Sequence, residues 1–404
     1  VDVTNDPVED WLTFLDLIKD NNYTIVAHNA AFERLCLLAY GVTIPAERFL
    51  CTATLALYAG FPEKLSGLSA ALELKEGKKG TGLPLIKFFC NYQTDKDGTI
   101  YRNAMADFPD KREEFIDYLR YDVLSEREAL QRLMYCNFPQ SEIELYALDQ
   151  YINDTGIAID KDLAERAAQM NDQFCDILKG RIKEQYNVSS LKSTAQLKNF
   201  VMMRTGKSFD SFRKEDIDTI ISECDDYAVT EVLNARKIIN KTSNAKYTAM
   251  LNSVCSDGRV RGLYRFYGAG RTGRWAGRLV QMHNPPKNYI NNLDLVREDV
   301  KTLELYTFEA FYGDVPGTLS QLIRTAFVAP EGTTFHVADY SSIEARVLAC
   351  LAREDWRIEA FQHGKDIYAV SASRSFGLPE DQCGKGTHYR QQGKVTELAL
   401  GYGG

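Results

Sequence analysis

The residues with the clearest chemical potential lie in two stretches near the C-terminal end. The first, Phe335-His-Val-Ala-Asp339-Tyr340-Ser-Ser-Ile-Glu344-Ala-Arg346, is a short apolar run that ends on a carboxylate. It predicts a strand over 334–339 that delivers Asp339 to its end, with Glu344 and Arg346 opening the next helix. A carboxylate held there is a hard oxygen ligand of the kind Mg²⁺ takes. The plainer alternative is a strand closed by an N-capping Asp. The second, Arg390-Gln-Gln-Gly-Lys394-Val-Thr-Glu-Leu398-Ala-Leu-Gly-Tyr402, spaces two cations, a leucine and a tyrosine four residues apart. On a helix these four form one slowly drifting face. Such a face can hold a triphosphate at one end and stack on a base at the other. An amphipathic surface helix is the bland reading.

Three further segments carry polar chemistry. Ala27-His28-Asn29-Ala-Ala-Phe32-Glu33 and Tyr118-Leu-Arg-Tyr-Asp122 lie about 90 residues apart. On a helix Tyr118 and Asp122 are one turn apart and face the same way. From Arg261 to Lys287 the chain has Arg261, Arg265, Arg271, Arg274, Arg278 and Lys287 with no acid between them, interleaved with Tyr264, Phe266, Tyr267 and Trp275. Cations mixed with aromatics suit nucleic-acid backbone tracking and base stacking, although a solvated basic loop is also possible. Gly268-Ala-Gly270-Arg-Thr-Gly273 spells GxGxxG, but the following Arg-Trp-Ala-Gly-Arg is not the apolar helix a dinucleotide fold needs. No P-loop is present.

Taken in order, these motifs give the sequence a marked resemblance. The segment from Asp339 resembles motif A of family A DNA polymerases (DYSxIExR), and that from Arg390 resembles motif B. Arg271-Thr272-Gly273-Arg274-Trp275 and His283-Asn284-Pro285-Pro286 are similar to the family's TGR…QNxP segment, and with Lys241-Thr242-Ser243 the resemblance spans about 140–404. The stretches around His28 and Asp122 resemble the second and third motifs of DEDD exonucleases. The resemblance implies template-directed nucleotidyl transfer from dNTPs onto primer-template DNA in DNA replication, with two Mg²⁺ ions per active site in the complete enzyme and a 3′-5′ proofreading exonuclease in front. Asp339 and the Tyr340 carbonyl would ligate metal. Arg390 and Lys394 would bind the triphosphate, Glu344 would sit against the sugar, Leu398 would pack on the incoming nucleotide and Tyr402 near the nascent pair. Arg274, His283 and Asn284 would follow the minor groove, with Arg271, Thr272 and Arg346 joining the DNA contacts. In the exonuclease Glu33 and Asp122 would hold metal and Tyr118 would be catalytic.

The sequence departs from the family at five points. Glu33 replaces Asp, Leu398 replaces Phe or Tyr, and His283 replaces Gln, a wording similar to some phage enzymes. A DxE motif is expected before Val1 and an HDE motif after Gly404, so the chain by itself is expected to be inactive. A stand-alone 3′-5′ exonuclease and a non-catalytic DNA-binding module are the alternative readings.

The elements that must position these residues follow from periodicity. Trp11, Phe14, Leu15 and Ile18 predict a helix over 9–20, Tyr23 to Ala27 a strand, Ala31 to Ala39 a helix, and Phe115, Leu119, Val123, Leu130 and Leu133 one face of a helix over 110–135. Asp160 is placed to cap a helix carrying Leu163, Ala167, Met170, Phe174 and Ile177. Strands are expected at 259–267 and 334–339. The fold expected is multidomain, α/β and α+β: a truncated ribonuclease-H-like exonuclease over 1–135, then a polymerase part over 136–404, comprising thumb-like helices at 136–255, part of a palm at 256–350 and the start of fingers at 351–404. The 404 residues, 45% hydrophobic, fit a globular protein. Nine scattered cysteines without a CxxC pair argue for a reducing cytoplasm, of a bacterium or a phage-infected host, and against structural zinc. No signal peptide or membrane span is expected. The net charge of -8 confines nucleic-acid binding to a local basic patch.

Overall fold

The computed structural model describes residues 8–20, 22–75, 82–270 and 272–401, with the backbone alone at 8–11 and 242. The chain divides into two compact units, Val1–Glu331 and Gly332–Gly404. Both are rich in helix, and the short strands between the helices of the first make the whole a helix-rich α/β protein. Among the described residues no helix is long and apolar enough to cross a membrane.

The first unit opens with the helix Val8–Lys19, the strand Ile25–Ala27, the helix Ala31–Ala39 and the strand Phe49–Cys51. The two strands pair in parallel, Val26 opposite Leu50. Parallel neighbours need a crossover, which the helix Ala31–Ala39 supplies. Ile18, Ala27 and Phe49 form a core that also takes in Tyr146 and Phe266 from much later in the chain. The expected Trp11 contact lies outside the described side chains.

The helix Pro109–Leu133 starts on a proline at its first position, where a missing N–H costs nothing. Its apolar stripe is not buried throughout, as periodicity suggested. Phe115 packs with Leu85 and Phe89, and Ala129 and Leu133 pack with Leu55, Leu65 and Leu68. Between them Leu119 and Val123 are 48% and 63% exposed. The helix bridges two cores, and its middle faces an open cavity.

The helix Gln140–Thr155 turns through Gly156 into the strand Ile157–Ile159. Asp160 then caps the helix Lys161–Tyr186, accepting from the Leu163 N–H at 3.0 Å. Leu163, Ala167 and Met170 are buried as expected, but Ile177 is 51% exposed. Leu178 and Ile182 continue the buried stripe instead, because this end of the helix passes into a second core with Leu197, Val201, Val229 and Leu233. Strand Ile157–Ile159 is the centre of an antiparallel three-stranded sheet, flanked by Arg259–Val260 and Phe327–Val328. A separate antiparallel hairpin joins Tyr264–Ala269 to Arg274–Gly277. A hairpin is incompatible with a dinucleotide-binding reading of GxGxxG, whose glycines must open a helix.

In the second unit the strand expected at 334–339 is absent. Residues 333–340 are exposed and form neither helix nor strand. A strand exists by pairing its N–H and C=O groups, and among the described residues no strand lies beside this run. Helices follow at Ile343–Ala352, Asp355–Gln362, Ile367–Phe376 and His388–Gly401. The last two meet at Gly393, where an added Cβ would stand 2.2 Å from the Tyr368 carbonyl oxygen. Only glycine permits this approach of the two backbones.

Candidate functional site

In the second unit, the helix His388–Gly401 carries Arg390, Lys394 and Leu398 on successive turns; Tyr402 lies outside the described residues. Leu398 lines a cavity of about 560 Å³ together with Tyr340, Glu344, Leu348 and Tyr368. The structure therefore brings parts of the two C-terminal motifs into one hollow. Asp339 sits just outside that lining, exposed on the irregular stretch before the helix Ile343–Ala352. Arg390 is engaged within the unit: its Nε donates to Asp366 Oδ2 at 2.6 Å, and its guanidinium lies 5.3 Å from the Tyr368 ring centre. Arg346 is also turned inward, donating to the Ser341 carbonyl at 2.8 Å and lying over the Phe361 ring. Lys394 is half-buried one turn beyond Arg390. Against the cavity wall Arg357 donates to Glu397 at 2.8 Å and also pairs with Glu354. Glu397 is 7% exposed. This ionic group was not read from the sequence.

In the first unit a cavity of about 820 Å³ is lined by His28, Glu33, Asp122 and Glu126, with the exposed Leu119 and Val123 at its side. The His28 ring is held at both nitrogens, by Thr52 Oγ1 at 2.9 Å and the Glu63 carbonyl at 2.8 Å. A carbonyl only accepts, so Nε2 carries a proton. Burial raises the Glu33 carboxyl above its ordinary range. Glu126 is pushed up to about 7, chiefly by burial and then by its neighbours Glu33 and Asp122, against hydrogen bonds from the His28 backbone N–H and the Thr52 hydroxyl. Glu33 Oε2 and Glu126 Oε1 are buried without a hydrogen-bond partner. Crowded oxygen donors of this kind suit a hard divalent cation in chemistry, although among the described residues no three acidic, His or Cys groups converge as a metal cluster. Glu126 escaped the sequence reading, yet it stands four residues after Asp122 on the same helical face.

Tyr118 does not line this cavity. It is 5% exposed and stacks on Phe115, with ring centres 6.2 Å apart. Side chains on a helix lean toward its N-terminus, so a residue covers the turn before its own Cα. The Tyr118 ring therefore reaches the Phe115 cluster and not the level of Asp122.

Three arginines of the basic run face carboxylates. Arg261 forks onto Asp257 at 2.8 and 2.6 Å, and Arg265 pairs with Glu63. Arg278 faces Asp149, whose carboxyl burial pushes up to about 6 against hydrogen bonds from Asn153 and Gln150 and the pull of Arg278 itself. The aromatics are not free stacking platforms as expected. Phe266 is 6% exposed and meets Tyr146 and Trp275 edge-on at 5.8 and 5.9 Å. Strand alternation turns Phe266 inward while Arg265 faces out. Thr272, Arg274, His283 and Asn284 are exposed around this hairpin and the turn after it, and Arg271 lies outside the described residues. The His283 ring rests against Gly277, where a Cβ would stand 2.0 Å from Nδ1.

Residues 159–404 match the sequence pattern of DNA polymerase family A, and the chain belongs to that family. It is 44% identical over 384 residues to the DNA polymerase of Bacillus phage SP02, an alignment that covers 94% of this chain and 59% of the phage protein. Thermostable DNA polymerase I of Thermus aquaticus is 48% identical over 63 residues, 16% of this chain and 8% of its own length. The polymerase domain of Pol1 from M. smegmatis, solved with DNA primer-template and dNTP, superposes with a TM-score of 0.61 at 18% identity, covering 100% of this chain and 62% of that one. The fold is therefore shared, and the chain spans about three-fifths of the phage relative.

Proposed function

We propose that this protein works in template-directed DNA synthesis, in which a primer 3′-hydroxyl attacks the α-phosphate of a dNTP and pyrophosphate leaves. The observation that carries this reading is the cavity that joins Tyr340 and Glu344 to Leu398 on the helix of Arg390 and Lys394. In this reading Glu344 and Leu398 bound the sugar and base. Lys394 meets the triphosphate, and Arg390 joins it by exchanging Asp366 for phosphate oxygens. Charge brought to the leaving group in this way acts where the transition state needs it. Asp339 and the Tyr340 carbonyl are the oxygen donors this chain offers to Mg²⁺, which when bound lowers the cost of charge on the reacting oxygens. Thr272, Arg274, His283 and Asn284 follow the minor groove of primer-template DNA. We assign residues 136–255 to the thumb, 256–350 to the palm and 351–404 to the start of the fingers, acting in the cytoplasm of a bacterium or of its phage-infected host. The test is primer extension by the full gene product. Template-dependent incorporation should vanish in Asp339→Asn, and wild-type product that extends no primer would refute the proposal.

A second activity, 3′-end proofreading by residues 1–135, is favoured by Glu33, Asp122 and Glu126 sharing one cavity. Those carboxylates would hold the divalent ion. Release of the 3′-terminal nucleotide from a labelled single strand, lost in Asp122→Asn, is the result expected. Release that persists in Asp122→Asn would overturn the assignment.

A further inference from the structure

The turn that presents His283 and Asn284 is backbone-strained and pinned at one point. Leu279 and Gln281, both non-glycine, have φ of 50° and 51°. Left-handed non-glycine residues of this kind are strained and persist only where the surroundings over-determine them. Between them Val280 is fully buried in the main core. Two backbone bonds close the turn, Gln281 N–H to the Arg278 carbonyl at 2.8 Å and Asn284 N–H to the Gln281 carbonyl at 3.1 Å.

Three carbonyls of this turn point at a single side chain. Lys246 Nζ donates to Val280 at 2.9 Å, to Gln281 at 2.9 Å and to Asn284 at 3.3 Å. An ammonium has three N–H donors, and all three are used. Lys246 itself is rigidly based. It lies on the helix Ala245–Ser253 beside Tyr247, which is fully buried and donates to the Leu319 carbonyl at 2.6 Å. The turn is thus tied to a core helix through one cation whose hydrogens are spent on backbone. Such a cation has no N–H left for a phosphate.

We infer that Lys246 is a positioning residue that holds the Leu279–Asn284 turn, and with it His283 and Asn284, in the shape that engages duplex DNA. The inference rests on the proposed DNA contact of that turn. Removing the tripod frees Leu279 and Gln281 to relax. If the competent turn then falls to a tenth of the population, apparent affinity falls about tenfold. A lysine that touched phosphate would behave differently, because its loss lowers the slope of log affinity against log salt by about 0.9.

The experiment compares the full gene product with Lys246→Met and Lys246→Arg, binding a labelled primer-template duplex over a salt series. Amide hydrogen exchange across 278–284 is read on the same proteins without DNA. The arginine variant keeps the charge, but its planar fork cannot converge on three carbonyls. It stands in for Lys246→Met should that variant fail to fold. Both variants should bind about tenfold more weakly with an unchanged salt slope, exchange faster at Gln281 and Asn284, and add little to the effect of His283→Ala. A slope lower by about one in the methionine variant, full affinity in the arginine variant, or unaltered exchange would each overturn the positioning role. Wild-type protein that binds no duplex but still shows faster exchange in the variants would defeat the DNA reading and leave the clamp standing.

Discussion

Replacing Arg357 should unfold the second unit more readily than any surface change there. Glu397 is 7% exposed and Arg357 16%, while their companion Glu354 is 35% exposed. In Arg357→Met, Glu354 can turn to water, but the Glu397 side chain, only 7% exposed, is left without its cation. Breaking a buried pair from one side costs about 3–5 kcal/mol. The guanidinium also lies 4.7 Å from the centre of the Trp356 ring, a contact of about 0.5–1 kcal/mol that methionine only partly replaces. We therefore expect a loss near 4 kcal/mol, within the range for one-sided removal. Glu397→Gln should cost only about 1–2 kcal/mol, because Arg357 keeps Glu354 and an acceptor remains. Arg357→Met combined with Glu397→Leu should come within about 1 kcal/mol of wild type, since neither charge is then stranded. The assay is urea unfolding followed by Trp356 fluorescence, with Trp11 and Trp275 replaced by phenylalanine. Urea is chosen because guanidinium salts screen ion pairs. A loss below about 1 kcal/mol for Arg357→Met, or a double variant no better than the single one, would show that Glu397 reaches water and that the reasoning is wrong.

Three other outcomes follow from the geometry. Asp160 caps a helix and also meets Arg297 at 2.7 Å and Lys301 at 2.9 Å, and although burial opposes it these bonds hold its carboxyl below 3.8. Its contribution is then complete above pH 3.8 and lost as pH falls through the lower folded value, so Asp160→Asn should lower the melting temperature at neutral pH and flatten the acid limb of a thermal-melt series. Glu126, raised from 4.5 to about 7, has the opposite sign: stability should fall as pH rises from 4.5 to 7, because the unfolded chain releases the proton first, and metal-free Glu126→Gln should remove that fall in urea titrations. In primer extension by the full gene product, Lys394→Ala should lose roughly 2–4 kcal/mol of transition-state stabilisation while Gln391→Ala, off that face, stays near wild type, and equal single-turnover rates would contradict the placement of the helix.

Much of this architecture was legible because it is local. The helix Pro109–Leu133, the Asp160 cap and the helix through Arg390 and Leu398 follow from spacing and capping chemistry, which act within a few residues. What escaped depends on distant partners. Residues 334–339 have the composition of a strand, but a strand is made by its neighbour. The acid-free run from Arg261 to Lys287 looked like a free cationic surface, yet Glu63, Asp149 and Asp257, all outside it, face its arginines. Tyr118 and Asp122 share a helical face by count, and the lean of the tyrosine takes its ring to another core. Glu126 could have been found by reading one turn past Asp122 on the same face.

Arg34 follows Glu33 directly and reaches across 120 positions of sequence to grip Asp154 with two bonds of 2.7 Å, itself 7% exposed. Losing Asp154 alone strands the buried Arg34 guanidinium, whereas losing Arg34 leaves an Asp154 whose side chain is 33% exposed and can reach water, and exchanging both for a neutral pair strands neither. Inheritance should therefore tie position 154 to position 34. Across descendants of this chain position 154 should not lose its carboxylate while Arg34 stays, and a lineage caught with Asp154 alone altered should carry a second, nearby substitution that restores neutrality.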